Sequence, residues 1–249
     1  CGRLFAIDDL ADRRHDCDLL LDQNLGRQPA DYAGLVPAPA RILAGPSFSL
    51  LRPEFAQLRE ASAARRRSAP WRRILLAMGG VDLHNMTGRM LSALGSCALP
   101  AGCEVTVVMG ATAPWLDEVR AVARQVPYPA HVIVNVPDMA RHLADADIAI
   151  GAAGSSAWER CCLGVPTVLA IVADNQRPGA MALAAAGAAL LLPEDAGLEE
   201  ALASSLSSLG ADGLLRRMQD VCLAITDGLG TERVAQEMLD ACARRGSAQ

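Results

Sequence analysis

The sequence predicts a doubly wound, parallel α/β domain, and three observations carry that prediction. From residue 73 onward, six short apolar runs alternate with segments of helical character, the mark of repeated βαβ units. Several runs end in glycine or polar residues, at the strand ends where open parallel sheets place their ligand crevice. Apolar residues make up 51% of the 249-residue chain and charged residues 20%, which suits a sheet covered on both faces.

The elements follow in order. Residues 4–7 read as a strand closed by Asp8-Asp9, and 19–21 as a second closed by Asp22-Gln23-Asn24. Residues 41–44, before Gly45-Pro46, form a third. Arg52-Pro53-Glu54-Phe55 opens a polar helical stretch. Arg65-Arg66-Arg67-Ser68-Ala69-Pro70 reads as a solvated basic run with a breaker, so 52–72 is expected to be a linker. Strand 73–78 then passes through Gly79-Gly80 into a helix over 85–96. Strand 104–109 precedes a helix over 115–125, with Pro114 suited to its first turn. Strand 132–136 leads to helix 138–144. Strand 147–150 enters Gly151-Ala152-Ala153-Gly154 and a helix over 155–163. Strand 167–172 leads to helix 175–186, strand 189–192 closes the sheet, and from Gly197 the chain reads as helical.

About 50 residues precede the linker, whereas a domain of this class usually needs about 100 or more. Residues 1–51 are therefore expected to be the remnant of a second domain, and 73–249 a complete one. The chain starts at Cys1 rather than methionine, and it reads as a piece of something longer, with the rest of the first domain expected in cis.

Composition removes several function classes. A net charge of −5 argues against nucleic-acid and anionic-membrane partners. All 23 basic residues are arginine, which excludes Schiff-base lysine chemistry and a P-loop. No stretch reaches the roughly 18 uninterrupted apolar residues of a membrane span, so no membrane insertion is expected. The 8 cysteines form no C-x-x-C pair and read as buried, reduced thiols of a cytoplasmic protein. His15, His84, His131 and His142 lack ligand spacing, so neither a metal nor another cofactor is expected.

Three strand-to-helix turns carry the chemistry. In Gly151-Ala152-Ala153-Gly154-Ser155-Ser156-Ala157-Trp158-Glu159, a strand delivers small residues to a helix start, where backbone N–H groups and the helix dipole favour an anion. Gly154, Ser155 and Ser156 thus suit a phosphate, or equally a tight turn with a serine cap. Glu159, one turn on, would repel phosphate and suits two vicinal hydroxyls, or it is a first-turn acid favoured by the dipole. Gly79-Gly80-Val81-Asp82 with Asn85 is a second such turn. Ala173-Asp174-Asn175-Gln176 is a third, with helix capping by Asp174 or Asn175 as the alternative. Met78, Met139 and Trp158 read as core residues.

These motifs together resemble the UDP-2,4-diacetamido-2,4,6-trideoxy-β-L-altropyranose hydrolases of pseudaminic acid biosynthesis. The resemblance rests on Ile7-Asp8-Asp9-Leu10-Ala11-Asp12-Arg13, Cys17-Asp18-Leu19-Leu20-Leu21-Asp22-Gln23-Asn24 and Leu51-Arg52-Pro53-Glu54-Phe55. It rests equally on the Gly79 turn with Asn85, on Gly154-Ser155-Ser156-Ala157-Trp158-Glu159-Arg160-Cys161-Cys162-Leu163-Gly164, and on Ala173-Asp174-Asn175-Gln176. It runs in order to about Gly187. Through that family's relatives it implies a GT-B-like fold, with two Rossmann-like domains and UDP held mainly by the C-terminal one. By resemblance, Gly154, Ser155 and Ser156 would bind the diphosphate and Glu159 the ribose. Gly79, Gly80 and Asn85 would border the nucleotide, and Val136 and Met139 would lie against uracil. Asn175 and Gln176 would face the sugar, with Asn175 contributing to catalysis. The reaction implied is hydrolysis at the anomeric carbon with UDP leaving, without a metal. The family's catalytic histidine, in a Gly-His-Val-Met-Arg-like motif, has no counterpart here, so the chain as given is expected to bind UDP weakly and without turnover. A GT-B glycosyltransferase and a non-catalytic UDP-sugar-binding module are the alternatives.

Overall fold

The computed structural model describes residues 2–67, 71–194, 197–210 and 213–243. Within them the strands form two parallel sheets. The first holds β1 (Phe5–Ile7), β2 (Leu19–Asp22) and β3 (Arg41–Ala44), in that order. The second holds β4 (Arg73–Ala77), β5 (Glu104–Met109), β6 (Ala130–Val134), β7 (Ile148–Ala152), β8 (Thr167–Ala170) and β9 (Ala189–Leu191). Its spatial order is β6-β5-β4-β7-β8-β9, every pair parallel. The order reverses between β4 and β7, the kind of switch point at which open parallel sheets place their crevice.

The strands of the second sheet are apolar on both sides because helices cover both. Ile74, Leu76, Val105, Val107, Ile148 and Ile150 point to one face, packed under α2 (Met86–Gly95), α3 (Leu116–Ala123) and α7 (Leu198–Leu209). Leu75, Ala149 and Leu169 point to the other, toward α1 (Pro53–Arg67), α4 (Met139–Asp145), α5 (Ser156–Cys162), α6 (Arg177–Ala185) and α8 (Leu214–Ile225). Each fully buried leucine or isoleucine there contributes about 1.5–3 kcal/mol. The GT-B-like, Rossmann-like reading of the sequence is thus the observed fold.

Several boundaries move for physical reasons. β6 ends at Val134, two residues before the expected end, because Asn135 turns into the left-handed region at φ 52°. β7 continues through Gly151 and Ala152, which pair with Leu169 and Ala170 and so belong to the strand rather than the turn. Asp174–Gln176 form a 3-10 turn, and α6 starts only at Arg177.

The solvated basic run is a correction. Residues 53–67 are a helix packed on the second sheet's layer, and two of its three terminal arginines are engaged there. Arg66 donates to the carbonyls of Leu143 (2.8 Å), Ala146 (2.8 Å) and Leu163 (2.7 Å), and to Ser62 Oγ (2.8 Å). Burial, with Arg65 beside it, pulls its guanidinium down to about 9. Arg65 pairs with Asp147 at 2.6 Å and donates to the Ala146 carbonyl. Arg67 alone stays at the surface, 3.5 Å from Asp220. Ser68-Ala69-Pro70 lie outside the described residues.

The last helix, α9 (Gly230–Ala243), returns to the first sheet. Its Val234 packs with Leu19, Leu21 and Leu43, Thr231 Oγ1 donates to the Leu51 carbonyl at 2.7 Å, and Arg41 pairs with Glu237. A Cβ on Gly230 would lie 2.3 Å from the Ser49 carbonyl oxygen, so only glycine admits this approach. Cys17, Cys103, Cys161, Cys162 and Cys222 are buried and free. No described helix is long and apolar enough to cross a membrane.

Candidate functional site

A cleft of about 410 Å³ opens between the carboxyl ends of the two sheets. Ile7, Asp8, Asp9, Gln23 and Asn24 border it from the first sheet. Ala153, Gly154, Ser155, Trp158, Asn175, Gln176 and Gly179 border it from the second. The halves nearly touch: Asn24 Oδ1 lies 3.9 Å from the position a Cβ on Gly179 would occupy.

On the second-sheet side, β7 delivers Ala153-Gly154-Ser155 to the start of α5. Ser155 stands at the N-cap position, exposed, and its hydroxyl makes no cap bond; the Ser156 Oγ instead accepts from Arg160 Nη1 at 3.1 Å. Neither serine therefore serves as the side-chain cap that was the alternative reading. Asn175 is exposed on the 3-10 turn and borders the cleft, and no side-chain cap bond is made at that turn. The Gln176 Oε1 accepts from the Val172 N–H at 3.3 Å, which turns its amide nitrogen to within 3.7 Å of the Cβ position of Gly154. Trp158 is buried at 5% exposure and closes the cleft wall, so it is a core residue with one edge on the site.

On the first-sheet side lies a network that sequence reasoning missed as a site. Tyr32 Oη stands 2.9 Å from Asp8 Oδ2 and 2.8 Å from Asp22 Oδ2, all three groups buried. Arg27 Nε donates to Asp22 at 2.6 Å. Burial pushes the Asp8 carboxyl up, but the Ala11 N–H, the Tyr32 hydroxyl and His15 outweigh it and hold Asp8 below the usual carboxylate range. Burial and both carboxylates push the Tyr32 phenol up, so it keeps its proton. Asn24 donates from its side chain to the Asp9 carbonyl and from its backbone to Asp22 Oδ1, and Gln23 Oε1 accepts from the Leu50 N–H. The available signal was position: Asp8-Asp9 and Asp22-Gln23-Asn24 directly follow strands. None of the four histidines borders the cleft.

Residues 91–221, more than half of the chain, match the Glycosyltransferase family 28 C-terminal domain. The chain belongs to this family. Among relatives of this family 28 chain is the spore coat polysaccharide biosynthesis protein SpsG of Bacillus subtilis (strain 168). It is 30% identical over 165 residues, 66% of this chain and 46% of that protein. The UDP-N-acetylglucosamine--N-acetylmuramyl-(pentapeptide) pyrophosphoryl-undecaprenol N-acetylglucosamine transferase of Cupriavidus necator is 30% identical over 178 residues, 69% of this chain and 48% of its own. The UDP-2,4-diacetamido-2,4,6-trideoxy-beta-L-altropyranose hydrolase of Campylobacter jejuni is 27% identical over 110 residues, 44% of this chain and 36% of its own. The crystal structure of Acinetobacter baumannii MurG superposes with a TM-score of 0.65 at 20% identity, over 89% of this chain and 66% of that one, which shows the shared fold. The chain spans about half or less of the length of these curated relatives.

The remaining residues singled out in the family 28 chain sit away from the cleft's inner wall. Gly79, at φ +106°, and Gly80 form the turn after β4; the Gly80 carbonyl accepts from the Gly110 N–H at 3.1 Å. Asn85 caps α2, its Oδ1 accepting from the Gly88 N–H at 3.1 Å, and its amide donates to Glu118 at 2.8 Å, beside a separate groove. Val136 and Met139 are half-buried and pack on the core at the start of α4. Arg52 donates to the Pro137 carbonyl at 2.8 Å, pinning that segment. Glu159 is half-buried; burial raises its carboxyl, with Arg160 and Arg52 partly opposing.

Proposed function

We propose that the chain carries the nucleotide-sugar site of a UDP-sugar enzyme, and that the bond cleaved is the one joining the anomeric carbon to UDP. The observation that carries this reading is the cleft. A small-residue turn whose Ser155 hydroxyl makes no cap bond faces the amides and carboxylates of the first sheet. Gly154, Ser155 and Ser156 offer backbone N–H groups and hydroxyls to a diphosphate, and they offset the charge that develops on departing UDP. Glu159, as a carboxylate, accepts from the ribose hydroxyls, with Val136 and Met139 against the base and the Gly79-Gly80 turn bordering the nucleotide. Asn175 and Gln176 present amides to an N-acetylated sugar, with Asn175 closest to the reacting carbon.

For the acceptor, the motifs from Ile7 to Gln176 support water. The substrate is then a UDP-linked 2,4-diacetamido-2,4,6-trideoxyhexose, and the reaction is a hydrolysis that yields a precursor of nonulosonic acids. The transferase of Cupriavidus necator, matched over more of this chain than the hydrolase, favours the second reading, in which a hydroxyl of an acceptor replaces water. Both readings share the donor site.

Calorimetric titration of the 249-residue chain with UDP and ADP tests the site: UDP is expected to bind and ADP not, and equal affinities would refute it. Incubation of the chain with the UDP-sugar tests the chemistry. Because no histidine borders the cleft to activate water, UDP release slower by about two or more orders of magnitude than a histidine-equipped site is expected. Rapid release without an acceptor would overturn that expectation and favour water as the acceptor.

A further inference from the structure

Arg160 is a buried cation with no described carboxylate in ion-pair contact; the neighbouring, half-buried Glu159 acts on it only through space. Arg160 is 3% exposed, and among the described residues no carboxylate lies within ion-pair distance of it. Its Nη2 donates to the Ala152 carbonyl at 2.7 Å and its Nη1 to Ser156 Oγ at 3.1 Å, both neutral acceptors, while its buried Nε has no partner. Other internal arginines are treated differently: Arg27 and Arg65 meet carboxylates, and Arg66 is ringed by carbonyls. Two neutral hydrogen bonds could be made by a glutamine at far lower desolvation cost, since an isolated buried charge is heavily penalised.

The guanidinium also has a definite place. A Cβ on Gly151 would lie 2.9 Å from Arg160 Nη1, so the cation rests directly on the bare backbone that leads into Ala153, Gly154 and Ser155. Its two acceptors bracket that turn, one at the strand end before it and one at the helix start after it. The three residues between those acceptors, Ala153, Gly154 and Ser155, line the cleft.

We propose that Arg160 is a positioning residue of the nucleotide site: it holds the 152–156 turn open and supplies from behind the positive charge that a diphosphate neutralises. The proposal rests on the UDP-sugar reading above. Its consequence is a charge ladder. Affinity should rise steeply from uridine to UMP to UDP, and the rise should come from Arg160 rather than from direct ion pairing.

The experiment measures the affinities of uridine, UMP and UDP for the wild-type chain and for Arg160→Gln and Arg160→Lys, with circular dichroism as the folding control. Arg160→Gln is expected to weaken UMP about tenfold and UDP about a hundredfold, leaving uridine within about twofold. Arg160→Lys, which keeps the charge and loses the fork, is expected to keep the ladder. Equal weakening of all three ligands in Arg160→Gln, or a ladder lost in Arg160→Lys, would overturn the proposal and leave a plain hydrogen-bonding role. If Arg160→Gln does not fold, the Arg160→Lys result decides alone. A wild-type chain that binds none of the three ligands overturns the UDP-sugar reading itself, and this inference with it.

Discussion

Arg66 offers the most direct test of how α1 is held. Replacing it by alanine leaves the carbonyls of Leu143, Ala146 and Leu163 without the donor that now reaches them at 2.7–2.8 Å. These carbonyls lie in the last turn and at the C-caps of α4 and α5, where intrahelical donors run out; Arg65 still reaches Ala146 and Ser62 Oγ still reaches Leu163. A hydrogen bond from a charged donor contributes about 1.5–3 kcal/mol, so three give a gross loss of about 4.5–9 kcal/mol. Relief of the guanidinium's desolvation and entry of water into the vacated space return part of this, leaving a net loss of about 3–5 kcal/mol. Against a total stability of about 5–15 kcal/mol, that is a large fraction. Urea denaturation followed by far-UV circular dichroism at pH 7 measures it. Arg66→Lys should fall between the two, since an ammonium lacks the planar fork. Arg67→Ala, at an exposed pair with Asp220, should cost under about 0.5 kcal/mol and serves as the internal control. An Arg66→Ala chain within about 1 kcal/mol of wild type would refute the clamp.

Three further outcomes follow from the geometry. Burial raises the Glu159 carboxyl, so the ionised form that the proposed ribose contact requires is complete only above that raised value. UDP affinity should therefore start to fall, as pH drops, earlier than an ordinary carboxylate at about 4.3 would cause, and Glu159→Gln should flatten the profile. Unchanged pH dependence in Glu159→Gln would remove the residue from the site. At Gly110, an added Cβ would stand 2.2 Å from the Gly80 carbonyl oxygen, so Gly110→Ala must displace the Gly79-Gly80 turn. A cost of about 1–3 kcal/mol and a melting temperature lower by roughly 2–12 °C are expected in calorimetry, and an unchanged melt would contradict the contact. Two hydrogen bonds from Arg233 hold the Asp227 carboxyl at about 2. The pair's stabilisation should be intact above about pH 4 and disappear as pH falls toward 2. Because Asp227 is 41% exposed, Asp227→Asn should cost only about 0.5–1 kcal/mol in urea melts, and a cost above 2 would show the pair to be better shielded.

The second sheet was legible because its information is local. Runs such as Ile74-Leu75-Leu76 send alternate side chains into two cores, and a continuous apolar strand between glycine-rich turns has few other readings. The turn at Gly154-Ser155 was legible for the same reason, since small residues follow directly on an apolar run. What was not legible depends on partners far along the chain. Three consecutive arginines look solvated until Leu143 and Leu163 carbonyls arrive from residues 77 to 97 positions away. The Asp8–Tyr32–Asp22 network needs the first sheet to be assembled before a tyrosine between two loops becomes a bridge. Asn85 shows a third kind of difficulty: asparagine after a turn suits a helix cap and a ligand contact alike, and its side chain is spent on Gly88 and Glu118.

The close approach of Gly230 to Ser49 also lies where the chain crosses between the two sheets. The chain passes between the sheets twice, once near Leu51 and Arg52 and again through Asp227, Gly228 and Leu229, and Thr231 ties the two passages together at Leu51. The two sheets are therefore joined at two neighbouring points, and a cut in one passage would leave them held by the other.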